Sequence, residues 1–271
     1  MSSVPADLAA AIAASSGRLA GFDRLEYFAE VDSTNDLALD RAARGAPHGT
    51  VILAEAQRAG RGRLGRPWHS PPEAGLYLSA VLRAESWAET LSLVTMAAGV
   101  AVVRALRTAT GLAADLKWPN DVVVGRPWRK LAGILSETAS TSSRVDAVIV
   151  GIGINLRAGS FPLELADRAT ALEVELGRPV DRALCTVEVL AALAESAARL
   201  SAGDASWVAR EWREYGRAGL GGASVRWHDG QRMRRGTAAD IDETGALIID
   251  TGAGILERVI SGEVTWERIR D

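Results

Sequence analysis

A single cysteine, Cys185, among 271 residues rules out an intramolecular disulfide framework and any metal site built from several cysteines. The three histidines, His48, His69 and His228, lack the i,i+4 spacing of a helical metal site, so they are expected on the surface or in loops with no assigned chemistry. No basic start followed by a continuous apolar core marks the N-terminus. The alanine-rich Leu8 to Ala14 stretch is too short and too weakly apolar to export the chain or to span a membrane. No repeat period and no low-complexity block support a solenoid. A net charge of −3 argues against a general nucleic-acid binder. What these absences leave is a soluble globular chain suited to a reducing cytoplasm, 48% hydrophobic, with material for one large domain and a small one.

Acidic residues are also missing from one revealing place. None lies between Glu55 and Glu73, and this gap holds Ala59-Gly60-Arg61-Gly62-Arg63-Leu64-Gly65-Arg66-Pro67-Trp68, which with Arg58 puts four arginines in nine residues. Glycine lets backbone N–H groups approach a ligand closely, and each guanidinium offers a planar fork matched to carboxylate or phosphate. With nothing nearby in sequence to neutralise it, the loop is expected to hold a small anion.

The coarse pattern is α+β. Leu25 to Val31, Thr50 to Gln57 and Gly75 to Arg83 read as strands, the first two separated by a helix from Ser33 to Gly45, and Leu91 to Thr110 as a long buried helix closed by Gly111. Asp115 to Trp118, Asp121 to Val124, Lys130 to Glu137 and Asp146 to Asn155 follow as strands, with a turn at Gly125-Arg126-Pro127. Asp181 caps a helix to about Leu200, and another covers Trp207 to Tyr215. From about Gly219 the texture changes to short β segments: Ser224 to Trp227, Met233 to Ile241, Ala246 to Asp250, Leu256 to Ser261 and Val264 to Ile269. These predict a small barrel with a thin core that gains by docking on the larger domain.

Several segments admit two readings. Ser33 and Asp36 fit a capping box, yet Ser33-Thr34-Asn35 at a helix start also suits a polar ligand head. Lys117-Trp118-Pro119-Asn120-Asp121 is explained by turn chemistry, or by a lysine, an amide and a carboxylate arranged for phosphate or Mg2+. Lys130 begins an apolar strand, either where it emerges into water or as a site lysine. Gly151-Ile152-Gly153-Ile154-Asn155 invites close approach of a backbone or ligand but lacks the third glycine of a dinucleotide fingerprint.

Taken together and in this order, Ser-Thr-Asn, Gly-Arg-Gly-Arg-Leu-Gly-Arg-Pro-Trp, Lys-Trp-Pro-Asn-Asp, Lys-Leu-Ala-Gly-Ile-Leu and Gly-Ile-Gly-Ile-Asn resemble biotin protein ligases. The similarity runs from Tyr27 to Leu156 and continues weakly into the C-terminal segment through Gly-Glu-Val-Thr. It implies a class II synthetase-like catalytic domain over residues 1–218 and an SH3-like β-barrel over 219–271. It implies an enzyme that joins biotin to ATP as biotinyl-5′-AMP and passes biotin to a lysine of a biotin carboxyl carrier domain of an acyl-CoA or pyruvate carboxylase.

By the same resemblance Ser33, Thr34, Asn35, Gln57, Gly60, Arg61, Arg63, Lys130, Gly133, Ile134 and Gly153 match biotin contacts. Arg61, Arg63, Arg66, Lys117, Asn120 and Asn155 match nucleotide-side positions, and Trp68, placed with them, is expected from its size to anchor the loop. Lys130, Arg63 and Asp121 are the catalytic candidates, with Asp121 holding Mg2+ or positioning the acceptor lysine. Only about 26 residues precede the first family strand, so the expectation is a ligase without a DNA-binding domain, monomeric or weakly dimeric. The Gly125-Arg126-Pro127-Trp128-Arg129 turn departs from the pattern, with no assigned effect. Lipoate protein ligase and a non-catalytic biotin-binding regulator are the alternatives. The arginine loop is expected to be poorly ordered until its ligand binds.

Overall fold

The computed structural model describes residues 2–83, 91–141, 144–252, 254–260 and 262–267. A seven-stranded mixed sheet is built from β1 (Leu25–Val31), β2 (Val51–Gln57), β3 (Gly75–Leu82), β4 (Asp115–Lys117), β5 (Asp121–Val124), β6 (Arg129–Thr141) and β7 (Arg144–Asn155) in the order β1-β2-β3-β7-β6-β5-β4. Only β1 and β2 pair in parallel, joined through helix α2 (Thr34–Ala43); the remaining pairs are antiparallel. Ser33 starts α2 from an extended conformation, its Oγ accepting from the Asp36 N–H at 3.4 Å, the capping expected from sequence.

Helices cover both faces. On one, Ala38 and Ala42 of α2 pack on Ile52, Val81, Ala147 and Ile149. On the other lie α3 (Leu91–Thr110), α5 (Arg182–Ser201) and α6 (Ser206–Tyr215). Consequently every residue of β3 is buried. Helix α3 is apolar and long enough to cross a membrane, but most of it is buried as the central core helix. Asp181 caps α5 as expected, accepting from the Leu184 N–H at 2.9 Å.

Three short or terminal helices went unread. The alanine-rich start is α1 (Ala6–Leu19), which buries Leu8 and Leu19 and docks on α5 through a bidentate Arg18–Glu188 pair at 2.7 Å. The others are α4 (Leu172–Leu176) and α7 (Arg217–Leu220), too short to show a helical period. The β6–β7 hairpin runs further than its apolar core predicts, because cross-strand pairing continues past Glu137 through polar residues.

A five-stranded antiparallel sheet follows, β8 (Ser224–His228), β9 (Met233–Ile241), β10 (Leu247–Asp250), β11 (Leu256–Val259) and β12 (Val264–Trp266), in the order β11-β10-β9-β8-β12. The expected strand ends at Ser261 and Ile269 lie outside the described residues. This small SH3-like unit docks on the larger one as expected. Trp118 Nε1 donates to the Gly245 carbonyl at 3.0 Å, and Trp266 Nε1 donates to the Trp118 carbonyl at 3.2 Å.

Asp242 secures the turn that carries Gly245. Burial works against its charge, but the Thr244 hydroxyl, the Ala246 and Thr244 N–H groups and Arg258 outweigh it and hold its pKa down at about 2. A depressed carboxylate stabilises the fold fully above its unfolded value, and that contribution disappears as pH falls through the folded one. Asp242→Asn is therefore expected to cost about 1–2 kcal/mol at pH 7, after allowance for solvent screening, and progressively less as pH falls towards and below 2. Thermal melts of both proteins across that range should converge at the acid end; a constant gap would show that the stabilisation does not come from ionised Asp242.

Candidate active site

The motifs expected to contact biotin meet where the C-terminal ends of β1 and β2 open beside the start of α2. Gln57 Oε1 accepts from the Thr34 backbone N–H at 2.8 Å and from its hydroxyl at 3.1 Å, while Gln57 Nε2 donates to Ser70 Oγ at 2.8 Å. Ser79 Oγ on β3 lies 2.8 Å from Thr34 Oγ1 and 2.6 Å from Asn35 Oδ1. This wall is thus cross-linked within itself. Ser79 was not singled out in sequence because a serine inside an apolar strand carries no motif.

The arginine loop leaves β2 directly above this wall. It takes a defined turn, with Gly62 N–H donating to the Arg66 carbonyl at 2.7 Å and Leu64 at φ +57°. Nothing nearby in sequence neutralises these arginines, as read from the chain, but for three of the four the negative partner is a carboxylate of the protein itself. Arg58 pairs with Asp32 at 2.8 Å, Arg61 with Glu137 at 2.9 Å and Asp36 at 2.5 Å, and Arg66 with Glu263. These acids are distant in sequence, so no local reading could find them, and they anchor a loop expected to order only on its ligand.

Arg63 differs. Among the described residues its half-buried guanidinium hydrogen-bonds only to neutral acceptors, Asn120 Oδ1 at 3.4 Å and the Gly262 carbonyl at 3.1 Å. Burial lowers its pKa, with nearby Asp121 opposing that effect. The anion expected by the whole loop is therefore expected most at Arg63.

The floor comes from the β4–β5 turn and from β6 and β7. Lys130 Nζ sits 2.6 Å from Asp121 Oδ1 and 5.3 Å from the Trp68 ring centre. Gly133 and Gly153 face each other across β6 and β7 beneath that ring, and a Cβ at Gly153 would fall 2.5 Å from it. Trp68 therefore anchors the loop on these glycines. Burial depresses the Lys117 ammonium, Asp121 opposes this, and Lys130 and Arg66 add to it.

Two asparagines are committed inside the protein. Asn120 Nδ2 donates to the Ile134 carbonyl at 2.7 Å, and Asn155 Nδ2 to the Thr170 carbonyl at 2.9 Å. Their amides hold the turn and the 168–170 segment in place. That segment in turn brackets Lys130, whose N–H donates to the Arg168 carbonyl and whose carbonyl accepts from Thr170.

One cavity of about 520 Å3 gathers all the sequence-predicted site residues except Gly60. Gly60 lies behind the wall, where a Cβ would strike the Trp68 carbonyl at 2.5 Å, so its role is close packing at the loop base. The cavity also takes in Phe161, Leu165 and Arg168, and residues 262–266 of the small unit, none of which had been assigned to the site. The signal for the last was present in Gly-Glu-Val-Thr. The Gly125–Arg129 turn resolves as a docking element: Trp128 meets Trp266 edge to face at 5.8 Å, and Arg129 pairs with Glu175 at 2.8 Å.

Electrostatically the cavity is unbalanced. Arg61, Arg63, Arg66, Lys117, Lys130 and Arg168 line it against Asp121 and Glu263. Among the described residues no group of three His, Cys, Asp or Glu side chains is placed to hold a metal ion. Of the three histidines, His69 reaches the cavity lining from its loop and His48 is half-buried, its Nδ1 accepting from the Arg83 N–H.

Residues 27–155 match the biotin/lipoate A/B protein ligase family, and residues 222–265 match the biotin protein ligase C terminal domain. The biotin--[acetyl-CoA-carboxylase] ligase of Paracoccus denitrificans is 35% identical over 232 residues, covering 83% of this chain and 94% of that one. The bifunctional ligase/repressor BirA of Bacillus subtilis is 34% identical over 243 residues, covering 89% and 73%. Among solved structures, the biotin protein ligase from Aquifex aeolicus in complex with biotin and ATP superposes with a TM-score of 0.78 at 31% identity, covering 90% of this chain and 99% of that one. With the cation-lined cavity built from the same motifs, these matches show that the chain belongs to the biotin protein ligase family.

Proposed function

We propose that the cavity carries out both half-reactions of a biotin--[acetyl-CoA-carboxylase] ligase, with biotin held against the Ser33, Thr34 and Gln57 wall and ATP against the floor. The observation that carries this is the set of cations converging on Asp121: Lys130 at 2.6 Å, with Lys117 and Arg63 close by. In the first step a biotin carboxylate oxygen attacks the α-phosphorus of ATP, the P–O bond to the β-phosphate breaks, and pyrophosphate leaves. Two anions must approach each other. Lys130 and Arg63 offset that repulsion and stabilise charge gathering on the phosphoryl oxygens. In the second step the amine of the acceptor lysine attacks the biotinyl carbonyl, the amine proton is lost and AMP leaves.

The ureido head of biotin both donates and accepts, which suits hydroxyl and amide groups. The loop closed by Trp68 on Gly133 and Gly153 excludes water from a mixed anhydride that water would hydrolyse. A lone carboxylate fits Mg2+ held chiefly by the nucleotide phosphates, where the ion would neutralise phosphate charge; Asp121 is the residue that would hold it. The acceptor is the carrier domain of a carboxylase, of the acetyl-CoA type by the relatives' names. Residues 1–218 act as the catalytic unit and 219–271 close its far side, in a cytoplasmic enzyme.

Incubation with radiolabelled ATP and either biotin or lipoate tests the substrate. Biotin is expected to yield an adenylate that a carrier domain then discharges. Product with lipoate alone would overturn the reading.

A further inference from the structure

Glu137 belongs to none of the motifs above and does not itself line the cavity, yet its carboxylate joins two residues that do, Arg61 and Asn35. It is three-quarters buried, with a side-chain exposure of 25%, and its two oxygens accept from Arg61 Nη1 and Nη2 at 2.9 Å each. Oε2 accepts a third bond from Asn35 Nδ2 at 2.7 Å. Asn35 can lie flat on the sheet because residue 151 is glycine: a Cβ there would fall 2.0 Å from Asn35 Oδ1. One carboxylate thus ties the first arm of the arginine loop and the first turn of α2 to strand β6.

The guanidinium of Arg61 has little else to hold it. Its Nε is buried without a partner, so its position is set by its two η nitrogens alone. Among the described residues, besides Glu137 only Asp36 reaches them, at 2.5 Å, and Asp36 is half exposed, where solvent screens the attraction. Only an ionised carboxylate can accept the bidentate pair and the Asn35 amide at once.

We infer that Glu137 is a positioning residue for biotin binding, setting Arg61 and Asn35 in the wall at the same time. The inference rests on reading this wall as the biotin subsite. Glu137→Gln keeps the volume and one acceptor for Asn35 but loses the charge and the bidentate acceptance. It is expected to raise KM for biotin about tenfold, the worth of one charge-assisted bond, while KM for ATP stays within about twofold. The melting temperature is expected to change by only a few degrees.

A double-mutant cycle gives the discriminating readout. If Glu137 acts through Arg61, then Glu137→Gln in an Arg61→Ala background changes KM for biotin less than about twofold. Glu137→Asp keeps the charge but shortens the reach, and its KM for biotin is expected between those of wild type and Glu137→Gln. Biotin affinity by calorimetry provides a second measure on all three proteins. An unchanged KM for biotin, equal effects on both substrates, or full multiplicative effects in the cycle would each overturn the inference. Wild-type protein that forms no adenylate from biotin would instead defeat the substrate reading itself, and this inference with it.

Discussion

Lys130→Ala is expected to slow adenylate formation by roughly 10²–10³-fold, the usual consequence of removing one preorganised charge from a reacting phosphoryl centre. The lysine lies 2.6 Å from Asp121, and its ammonium sits 5.3 Å from the centre of the Trp68 ring. The fold should survive its loss. The main-chain bonds of residue 130 to Arg168 and Thr170 do not involve the side chain, which is one-third exposed. Circular dichroism of the variant should match wild type, and single-turnover formation of labelled adenylate should show the deficit. Removing Lys130 also leaves Asp121 short of its partner. The double variant Lys130→Ala with Asp121→Asn separates the two causes: recovery of the rate there would mean that an unpaired carboxylate, rather than a missing cation, produced the loss. Wild-type turnover in Lys130→Ala would remove the lysine from catalysis, whereas wild-type protein that binds biotin but forms no adenylate would favour a biotin-binding regulator.

Gly153→Ala should be nearly as damaging, through shape alone. The added methyl would fall 2.5 Å from the Trp68 ring, well inside van der Waals contact, and the indole is too rigid to yield without moving the loop that carries it. Because Trp68 N–H donates to the Gly60 carbonyl and the Trp68 carbonyl accepts from Ser70, displacement of the ring disturbs both ends of the loop and the Gln57 contact beneath. A shift of about 1 Å in such a wall corresponds to a loss of roughly 10²-fold in kcat/KM. Gly133→Ala offers the internal comparison. Its methyl would come only to 3.1 Å from the end of the Lys130 side chain and 3.2 Å from the ring, a contact a flexible lysine can relieve. The expected order of damage is Gly153 well above Gly133. Steady-state kinetics on the pair decide it, and equal activity in the two variants would show that the ring does not rest on this floor.

Much of this site was legible in the chain. Turn signals placed Lys117 to Asp121 at a reversal, the capping pattern placed Ser33 at a helix start, and every site residue named from the motifs except Gly60 lines the cavity. Local chemistry governs such features, so local sequence reveals them. Gly60 shows the limit of the method: it belongs to the motif yet serves packing behind the wall, because its neighbours Trp68 and Ser70 return to it only when the loop closes. Helix α1 was missed for a related reason, since its alanines give a weak apolar stripe and its burial depends on α5, more than 160 residues away.

What the sequence determined by itself was the chemistry on offer: an arginine-glycine loop, a lysine and a carboxylate in a rigid turn, a strand lysine, and glycines where something must come close. What only the tertiary structure decided was which charges remain available to a ligand. Glu137, Asp36, Asp32 and Glu263 reach across the fold to occupy three of the four loop arginines and leave Arg63 facing the cavity with neutral partners. Coulomb attraction depends on separation in space and on burial, and neither is written in the order of residues along the chain.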